Sequence, residues 1–204
     1  MEKIQEKQGK ENIDNRYKIG YYIIMNIFEL HPNPSICAEM HCDKHIVKMP
    51  IEYAQLLSTA HRVLDGTEYI GTTKTGRKAK RYRLDDDRED ILYKASHIKH
   101  PDGIWARQTS GNYYKLFFLY MATLAEFKHR YGKIHGASKP SLYLQRAPKN
   151  IPEGDVTELP QCMPDYCKVE GDPIKAYHKY YLNEKKSFAT WKSRPIPTWY
   201  LQGE

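Results

Sequence analysis

Two long stretches with helical periodicity constrain the fold of this 204-residue chain more than any other feature. In residues 34–65, apolar side chains recur at helical spacing, as Ile36 and Met40 illustrate. In residues 102–131 the pattern is longer, and Gly132 follows it as a helix stop. Because an amphipathic helix must bury its apolar stripe, we expect the two stretches to pack against each other.

Residues with special backbone preferences indicate where these helices begin and bend. Asn33 before Pro34 is typical of an N-cap and a first helical position. Asp172 before Pro173 predicts the start of another helix near the end of the chain. Pro50 lacks an amide hydrogen, so we expect it to kink or split the first long helix.

Strand signals are few. The segment 21–30 (YYIIMNIFEL) is short and rich in β-branched and aromatic residues, which favours a strand. Residues 67–90 are polar and predict an excursion from the core, with a hairpin as one possible form. Residues 136–171 predict a long irregular loop, and the tail at 194–200 an extended segment. The predicted fold class is mainly α, a compact helical domain with a minor β element.

The domain organisation follows from composition. Residues 1–18 have low hydrophobicity and mixed charge, as in a mobile N-terminal extension, and residues 19–204 predict a single helical domain. We find neither the apolar run of a signal peptide nor a segment long enough to span a membrane. These features predict a cytoplasmic protein with free thiols, no membrane partner and no cofactor.

The charge of the chain favours an anionic partner. The formal net charge is +7, and nucleic acid is the commonest polyanion in a cell. The 67–90 excursion concentrates cations, and its predicted phosphate contacts are Arg77, Lys78, Lys80 and Arg81. A solvated loop would have the same composition, because three aspartates follow directly at 85–87.

A second candidate nucleic-acid contact lies at the start of the long helix. Trp105, Arg107 and Asn112 place an aromatic ring, a guanidinium and an amide close together in sequence. Such a group suits stacking on a base and binding of a phosphate. Alternatively, Trp105 belongs to the core and Arg107 is an ordinary surface charge.

Residues 41–55 hold the densest group of reactive side chains. Three interpretations are open. His41 and His45, one helical turn apart, would share a metal ion with Cys42. A lysine and a carboxylate would perform acid–base or amine chemistry. The row would also suit a solvated helix face with ordinary ion pairs. We assign no metal ligands and take as candidate catalytic residues Asp43, Lys44, His45, Lys48, Glu52 and Gln55.

Several motifs resemble a family of uncharacterised proteins carried by tailed bacteriophages. In order along the chain they are MNIFEL (25–30), CDKHIVKM (42–49), EYAQLLSTAHR (52–62), HP (100–101), WAR (105–107), RYGKIH (130–135) and PQCMP (160–164). The resemblance covers roughly residues 25–200 and implies a phage or prophage context, hence a host cytoplasm. It implies no particular reaction.

The chain also resembles the pyrimidine-dimer DNA glycosylases, which are small, basic, helical proteins. Their aromatic tail is similar to Arg194-Pro195 through Trp199-Tyr200 here. Those enzymes use their N-terminal amine as nucleophile, whereas this chain has an extension before Met25. The resemblance therefore implies that amine only where translation begins at Met25.

The combined expectation is a phage-type enzyme that acts on DNA, of the N-glycosylase or glycosylase/lyase class. Its nucleophile would be the amine of Lys44 or Lys48, or a water activated by Glu52. One alternative is a non-catalytic protein that binds nucleic acid, DNA rather than RNA, or a host factor. The other is a metal-dependent nucleotide hydrolase.

Overall fold

The structure of the protein is a computed structural model that describes residues 25–73 and 75–203. The extension predicted at 1–18 and the first part of the strand predicted at 21–30 lie outside the described residues. The elements follow in the order α1 (Pro34–Met40), α2 (Asp43–Asp65), β1 (Thr67–Thr72), β2 (Lys78–Arg83), α3 (Arg88–Ile91), α4 (Pro101–Trp105), α5 (Ser110–Tyr131), α6 (Ser141–Leu144), α7 (Pro173–Glu184) and α8 (Thr198–Gln202), with 3-10 turns at Gly136–Ser138 and Asp165–Cys167. The mainly α fold class with a minor β element is confirmed.

The two longest helices form the centre of the molecule, because α2 and α1 both pack against α5. Their buried residues join one apolar core that also takes in α7 and the tryptophans of the last segment. This confirms the expected contact between residues 34–65 and 102–131. Within the described ranges, no helix is long and apolar enough to cross a membrane.

The predicted helix ends are confirmed where capping residues marked them. The Asn33 side chain accepts hydrogen bonds from the amides of Ser35 and Ile36, and so caps α1. Gly132 ends α5 with a left-handed φ of 65°, a conformation that glycine adopts without steric cost. Asp172 caps α7 in the same way as Asn33 caps α1.

The predicted split of the helix at Pro50 is wrong, whereas the alternative of a kink there stays a prediction. Helix α2 continues through Pro50, and the chain leaves helical geometry earlier, at His41 and Cys42. Both residues have extended backbone angles, which turn their side chains into the core. The pattern at 102–131 is also divided, because α4 ends at Trp105 and Thr109 caps a new helix.

Two further element predictions are corrected near the chain ends. Residues 25–29 are buried but belong to no strand, because side chains from several helices bond their backbone groups. The tail is not fully extended, since Thr198–Gln202 forms α8. There the Trp199 ring stacks on His178 with centroids 3.9 Å apart, and this contact holds the helix on α7.

The excursion at 67–90 contains a hairpin. Strands β1 and β2 pair antiparallel, with Thr67 opposite Arg83 and Thr72 opposite Lys78. Side chains along a strand alternate between the two faces of a sheet, so Lys78 and Lys80 lie on one face and Arg81 lies on the other. The predicted phosphate contacts are therefore divided between two faces.

Replacement of Pro50, inside α2, and of Pro34, at the start of α1, should change the free energy of unfolding in opposite directions. An interior proline is about 3 kcal/mol less favourable than alanine in a helix, whereas the two buried carbons lost in Pro50→Ala cost about 1.6 kcal/mol. We expect Pro50→Ala to raise the free energy of unfolding by about 1 kcal/mol. Pro34→Ala, at the first helical position, is the control and should lower it by about 0.4–1 kcal/mol. Urea denaturation measures both, and a loss of stability in Pro50→Ala would contradict the prediction.

Candidate functional site

A buried segment without regular structure, residues 25–30, positions the candidate site. Its amides donate to side chains: Ile27 to the Asp102 carboxylate at 3.1 Å and Phe28 to the Tyr53 hydroxyl at 3.2 Å. The Leu30 amide donates to the Cys37 sulfur at 3.2 Å. These bonds satisfy backbone groups that a strand partner would otherwise satisfy. Residues of this segment are thereby held beside α2.

His41 and His45 hold structural positions in the core. The Nδ1–H of His41 donates to the Cys37 carbonyl at 2.7 Å, and its Nε2 accepts from Tyr53 at 3.2 Å. His45 bonds the Tyr181 hydroxyl through Nδ1 at 2.5 Å. Burial lowers the pKa of His41 to about 4, so its ring is neutral. These bonds occupy both nitrogens of His41 and Nδ1 of His45, so a metal shared by the two rings would have to displace at least one bond of His41.

Asp43 connects three parts of the chain. Its carboxylate accepts hydrogen bonds from Arg130 at 3.0 Å, from the Thr190 hydroxyl at 2.7 Å and from the Lys192 amide at 3.0 Å. These donors keep the pKa of Asp43 below its usual value although burial opposes them. A carboxylate with so many protein donors is well suited to hold α2, α5 and the C-terminal segment together.

Lys48 and Glu52 form the pair in this row that is best placed for chemistry. The Lys48 ammonium lies 2.7 Å from Oε1 of Glu52, one helical turn away. The Lys48 side chain is 52% exposed, whereas that of Glu52 is 6% exposed. Oε2 of Glu52 is buried and makes no hydrogen bond of ordinary geometry among the described residues, although the Asn26 amide is close enough to lower the pKa of the carboxylate. The pair thus joins a solvent-accessible amine to a desolvated carboxylate with one free oxygen.

The surroundings of Glu52 adjust its proton affinity. Burial raises its pKa, against the opposing effects of the Lys48 ammonium and the Asn26 amide. His97 lies near enough to this carboxylate to have a small lowering effect on its pKa. His97 has a left-handed φ of 50°, which is uncommon outside glycine and often found at functional sites. Sequence patterns contain no signal for His97 because its approach depends on the loop after α3.

The other two candidates on α2 share the exposed face with Lys48. Lys44 lies one turn earlier, and its Nζ is 4.6 Å from the centroid of the Phe188 ring. Gln55 lies half-buried, two turns after Lys48. Neither contacts the Glu52 carboxylate, so the structure brings together only part of the predicted row.

Trp105, Arg107 and Asn112 have their partners inside the protein. Trp105 is 2% exposed, and its indole donates to the Thr157 carbonyl at 3.2 Å. Arg107 donates to the carbonyls of Gly103 and Ile98. Their positions match the alternative in which Trp105 belongs to the core.

Asn112 fastens the segment around residue 157 to the start of α5. Its amide nitrogen donates to the Trp105 carbonyl at 3.0 Å and to the Thr157 hydroxyl at 2.8 Å. Its oxygen accepts from the Thr157 amide at 2.7 Å. A buried side chain with three such bonds has no free group for a nucleic acid.

Among the residues predicted to contact nucleic acid, the cations of the hairpin are the most accessible. Arg77, Lys78 and Lys80 are exposed, and Arg81 is half-buried. Lys80 pairs with Glu68 at 2.7 Å, which reduces its availability to a phosphate. The face with Lys78 also includes the exposed side chain of Ile70.

A pocket of about 420 Å³ opens between residues 25–37 and the start of α5. Its walls are mostly apolar, and an ion pair between Lys115 and Glu29 at 2.5 Å lies at its edge. No member of the 41–55 row lines it. The pocket is therefore separate from the Lys48–Glu52 pair.

Sequence reasoning passed over one further group of polar side chains. His100, Asp102 and Cys162 place one nitrogen, one oxygen and one sulfur within 4.8 Å of one another. The residues belong to motifs that sequence analysis had noted only for their resemblance, HP at 100–101 and PQCMP at 160–164. No periodicity links positions 60 residues apart, so only the fold reveals this group.

The role of Asn112 is testable. Asn112→Ala removes the three hydrogen bonds of a buried side chain, and each contributes about 0.5–1.5 kcal/mol. We expect the free energy of unfolding to fall by about 2–4 kcal/mol, whereas the exposed control Asn183→Ala should change it by less than about 0.5 kcal/mol. Chemical denaturation measures both. Weaker DNA binding with unchanged stability would instead favour a nucleic-acid contact.

No protein-family model, curated protein or solved structure matches this chain. The chemistry of the site is therefore the main indication of function. Its main features are a buried carboxylate with one unbonded oxygen, a partly exposed amine beside it and a basic hairpin elsewhere on the surface.

Proposed function

We propose that the protein is a DNA N-glycosylase or glycosylase/lyase whose reacting groups are Lys48 and Glu52. The observation that carries the proposal is the free oxygen of a buried Glu52 whose other oxygen bonds a partly exposed lysine at 2.7 Å. Amine nucleophiles and carboxylates that move protons are the two groups that removal of a base from a sugar requires.

In the lyase form of the reaction, Lys48 transfers a proton to Glu52 and then attacks C1′ of the nucleotide. A bond forms between Nζ and C1′, and the bond from C1′ to the base breaks with its electron pair leaving on the base. Protonation of the base by the Glu52 carboxyl completes its departure. Opening of the sugar ring then gives a protein–DNA imine, which water hydrolyses or elimination resolves.

In the hydrolytic form, a water takes the place of the amine. Glu52 accepts one proton from that water while the oxygen bonds C1′, and the base leaves as before. The raised pKa of Glu52 makes its carboxylate a stronger base for that proton, which then passes to the leaving base and regenerates the carboxylate. Lys48 would then orient the carboxylate and bind a nearby phosphate.

DNA as substrate rests on charge and on the reaction class. The net charge of +7 attracts a polyanion, and Lys44 and Lys48 lie on the exposed face of α2. A nucleotide turned out of the duplex would expose its C1′ to these side chains. We further propose a phage or prophage origin and a place in the host cytoplasm, on the motif resemblance alone.

The remaining alternatives have less support in the site. A nucleotide hydrolase built on a metal between His41 and His45 would have to break a bond of His41 to Cys37 or Tyr53, and both rings are buried. A protein that only binds nucleic acid does not account for a desolvated carboxylate beside an amine. Burial of such a group has a free-energy cost that binding alone would not require.

Borohydride trapping tests the nucleophile. The substrates are duplexes that carry a pyrimidine dimer, a uracil or an abasic site, with an undamaged duplex as control. We expect reduction to yield a covalent adduct that maps to Lys48, because borohydride reduces an imine to a stable amine. Lys48→Met keeps most of the stem and should abolish the adduct, while the control Lys44→Met should leave it unchanged. Glu52→Gln should slow base release by about 100-fold or more.

Three results separate the mechanisms. Base release without any adduct assigns the attack to water with Glu52 as base. An adduct that maps to the first residue of a chain starting at Met25 assigns the attack to that amine instead of Lys48. Neither release nor adduct on any of these duplexes would overturn the enzyme proposal in favour of a binding protein.

The basic residues of the hairpin lie on two different faces, which allows a sharper test of DNA binding. Each phosphate contact contributes a slope of about 0.9 in the dependence of log K on log salt. If the face with Lys78 and Lys80 contacts DNA, replacing both lysines by alanine should reduce this slope by the contribution of about two phosphate contacts. The same change at Arg81 and Arg83, on the other face, is the matched control. Equal slopes in wild type and both variants would mean that the hairpin is a solvated loop.

A further inference from the structure

His100, Asp102 and Cys162 form a mixed group of donors at a junction of two chain segments. His100 caps α4, and its Nδ1 lies 4.0 Å from Oδ2 of Asp102. Cys162 approaches from the loop before the second 3-10 turn and donates its thiol hydrogen to Oδ1 of Asp102 at 3.2 Å. The three ligand atoms lie within 4.8 Å of one another.

The Asp102 carboxylate lacks a cation. The residue is 0% exposed, yet across 25–73 and 75–203 no lysine or arginine forms a salt bridge with it. Its hydrogen-bond donors are the Ile27 amide and the Cys162 thiol. Buried carboxylates are ordinarily paired with a cation, protonated or bound to a metal. The histidine and the cysteine beside this one are both metal-binding side chains.

We propose that His100, Asp102 and Cys162 bind a divalent transition metal of zinc type. One imidazole, one carboxylate and one thiolate are the three ligand types that zinc accepts, and hard cations such as Mg²⁺ do not favour the thiolate. On binding, the metal takes the place of the thiol proton, which leaves to solvent, so no oxidant or reductant is needed.

The distances require little rearrangement. In a tetrahedral zinc site, ligand atoms at ordinary bond lengths lie about 3.4–3.6 Å apart. The Cys162 sulfur is 3.2 Å from Oδ1 of Asp102, His100 Nδ1 is 4.0 Å from Oδ2, and the three ligand atoms lie within 4.8 Å of one another. Side-chain rotations that bring the farthest atoms closer by about 1 Å would therefore be sufficient, and binding through Nδ1 would replace the hydrogen bond that this nitrogen accepts from the Asp102 amide. The Ile27 amide would remain on Oδ2 and orient the carboxylate, as donors in the second shell of metal sites do.

Access to the group is open on one side. His100 and Cys162 line a surface groove of about 450 Å³ that also includes Lys168. Three protein ligands leave the fourth position of a tetrahedral ion toward this groove. The ion would join α4 to the 158–164 loop and to the buried 25–30 segment. The inference does not depend on the glycosylase proposal.

Metal titration of the full chain tests the site. The protein is first treated with a chelator and a reductant, and Zn²⁺ is then added in a calorimeter. We expect one ion per chain. Co²⁺ should give the visible absorption of a tetrahedral site and a sulfur-to-metal charge-transfer band, since a thiolate ligates. Zn²⁺ should also protect Cys162 from alkylation, which peptide mass mapping measures.

Matched variants identify the ligands. His100→Asn keeps a side chain that can cap α4 but removes the imidazole, and Cys162→Ser removes the thiolate. Each should weaken Zn²⁺ binding by at least about tenfold and abolish or shift the Co²⁺ bands. The controls His129→Asn and Cys167→Ser lie outside the group and should bind as wild type does. Circular dichroism verifies that each variant is folded.

Two outcomes would overturn the proposal. One is the absence of Zn²⁺ and Co²⁺ binding by the folded wild-type chain. The other is binding that His100→Asn and Cys162→Ser leave unchanged while a control variant loses it. Base release by the wild-type chain is measured separately, so failure at the metal site and failure of the glycosylase proposal are distinguishable.

Discussion

The structure depends on how the protein satisfies the buried backbone of residues 25–30. These residues lie in the core without a neighbouring strand, so their amides need other acceptors. Asp102, Tyr53 and Cys37 provide them from three different helices. Loss of any one would leave a buried amide unbonded, which costs about 1–3 kcal/mol. The segment therefore fixes how α1, α2 and α4 sit relative to one another.

This requirement accounts for several polar residues that resemble catalytic groups in the sequence. Tyr53 can accept from the Phe28 amide and donate to His41 only if that histidine is neutral. The break between α1 and α2 is where His41 turns inward to meet it. The density of reactive side chains in residues 41–55 thus has two origins, since its buried members build the core and its exposed members face solvent.

Capping residues and apolar periodicity predict the two helical stretches and their contact, and the polar composition of residues 67–90 admits the hairpin. None of these signals marks the breaks at His41–Cys42 and after Trp105. The helix does not split at Pro50, because packing of the buried proline ring can offset the lost hydrogen bond. The 25–30 segment was misjudged because β-branched and aromatic residues suit any buried extended chain, with or without a strand partner. Within the candidate site, the Lys48–Glu52 pair follows from one-turn spacing. His97 and the His100, Asp102 and Cys162 group could not be predicted, because loops of no fixed geometry bring them together.

Two buried carboxylates beside the same segment illustrate how different neighbours lead to different chemistry. Burial raises the pKa of both, to about 7 for Asp102. Glu52 has an ammonium at 2.7 Å and a free oxygen, and such a pair can exchange a proton with a substrate. No ammonium of the described part of the chain pairs with Asp102, and its neighbours are a thiol and an imidazole that both bind soft cations. The same desolvation therefore favours proton transfer at the first carboxylate and metal binding at the second.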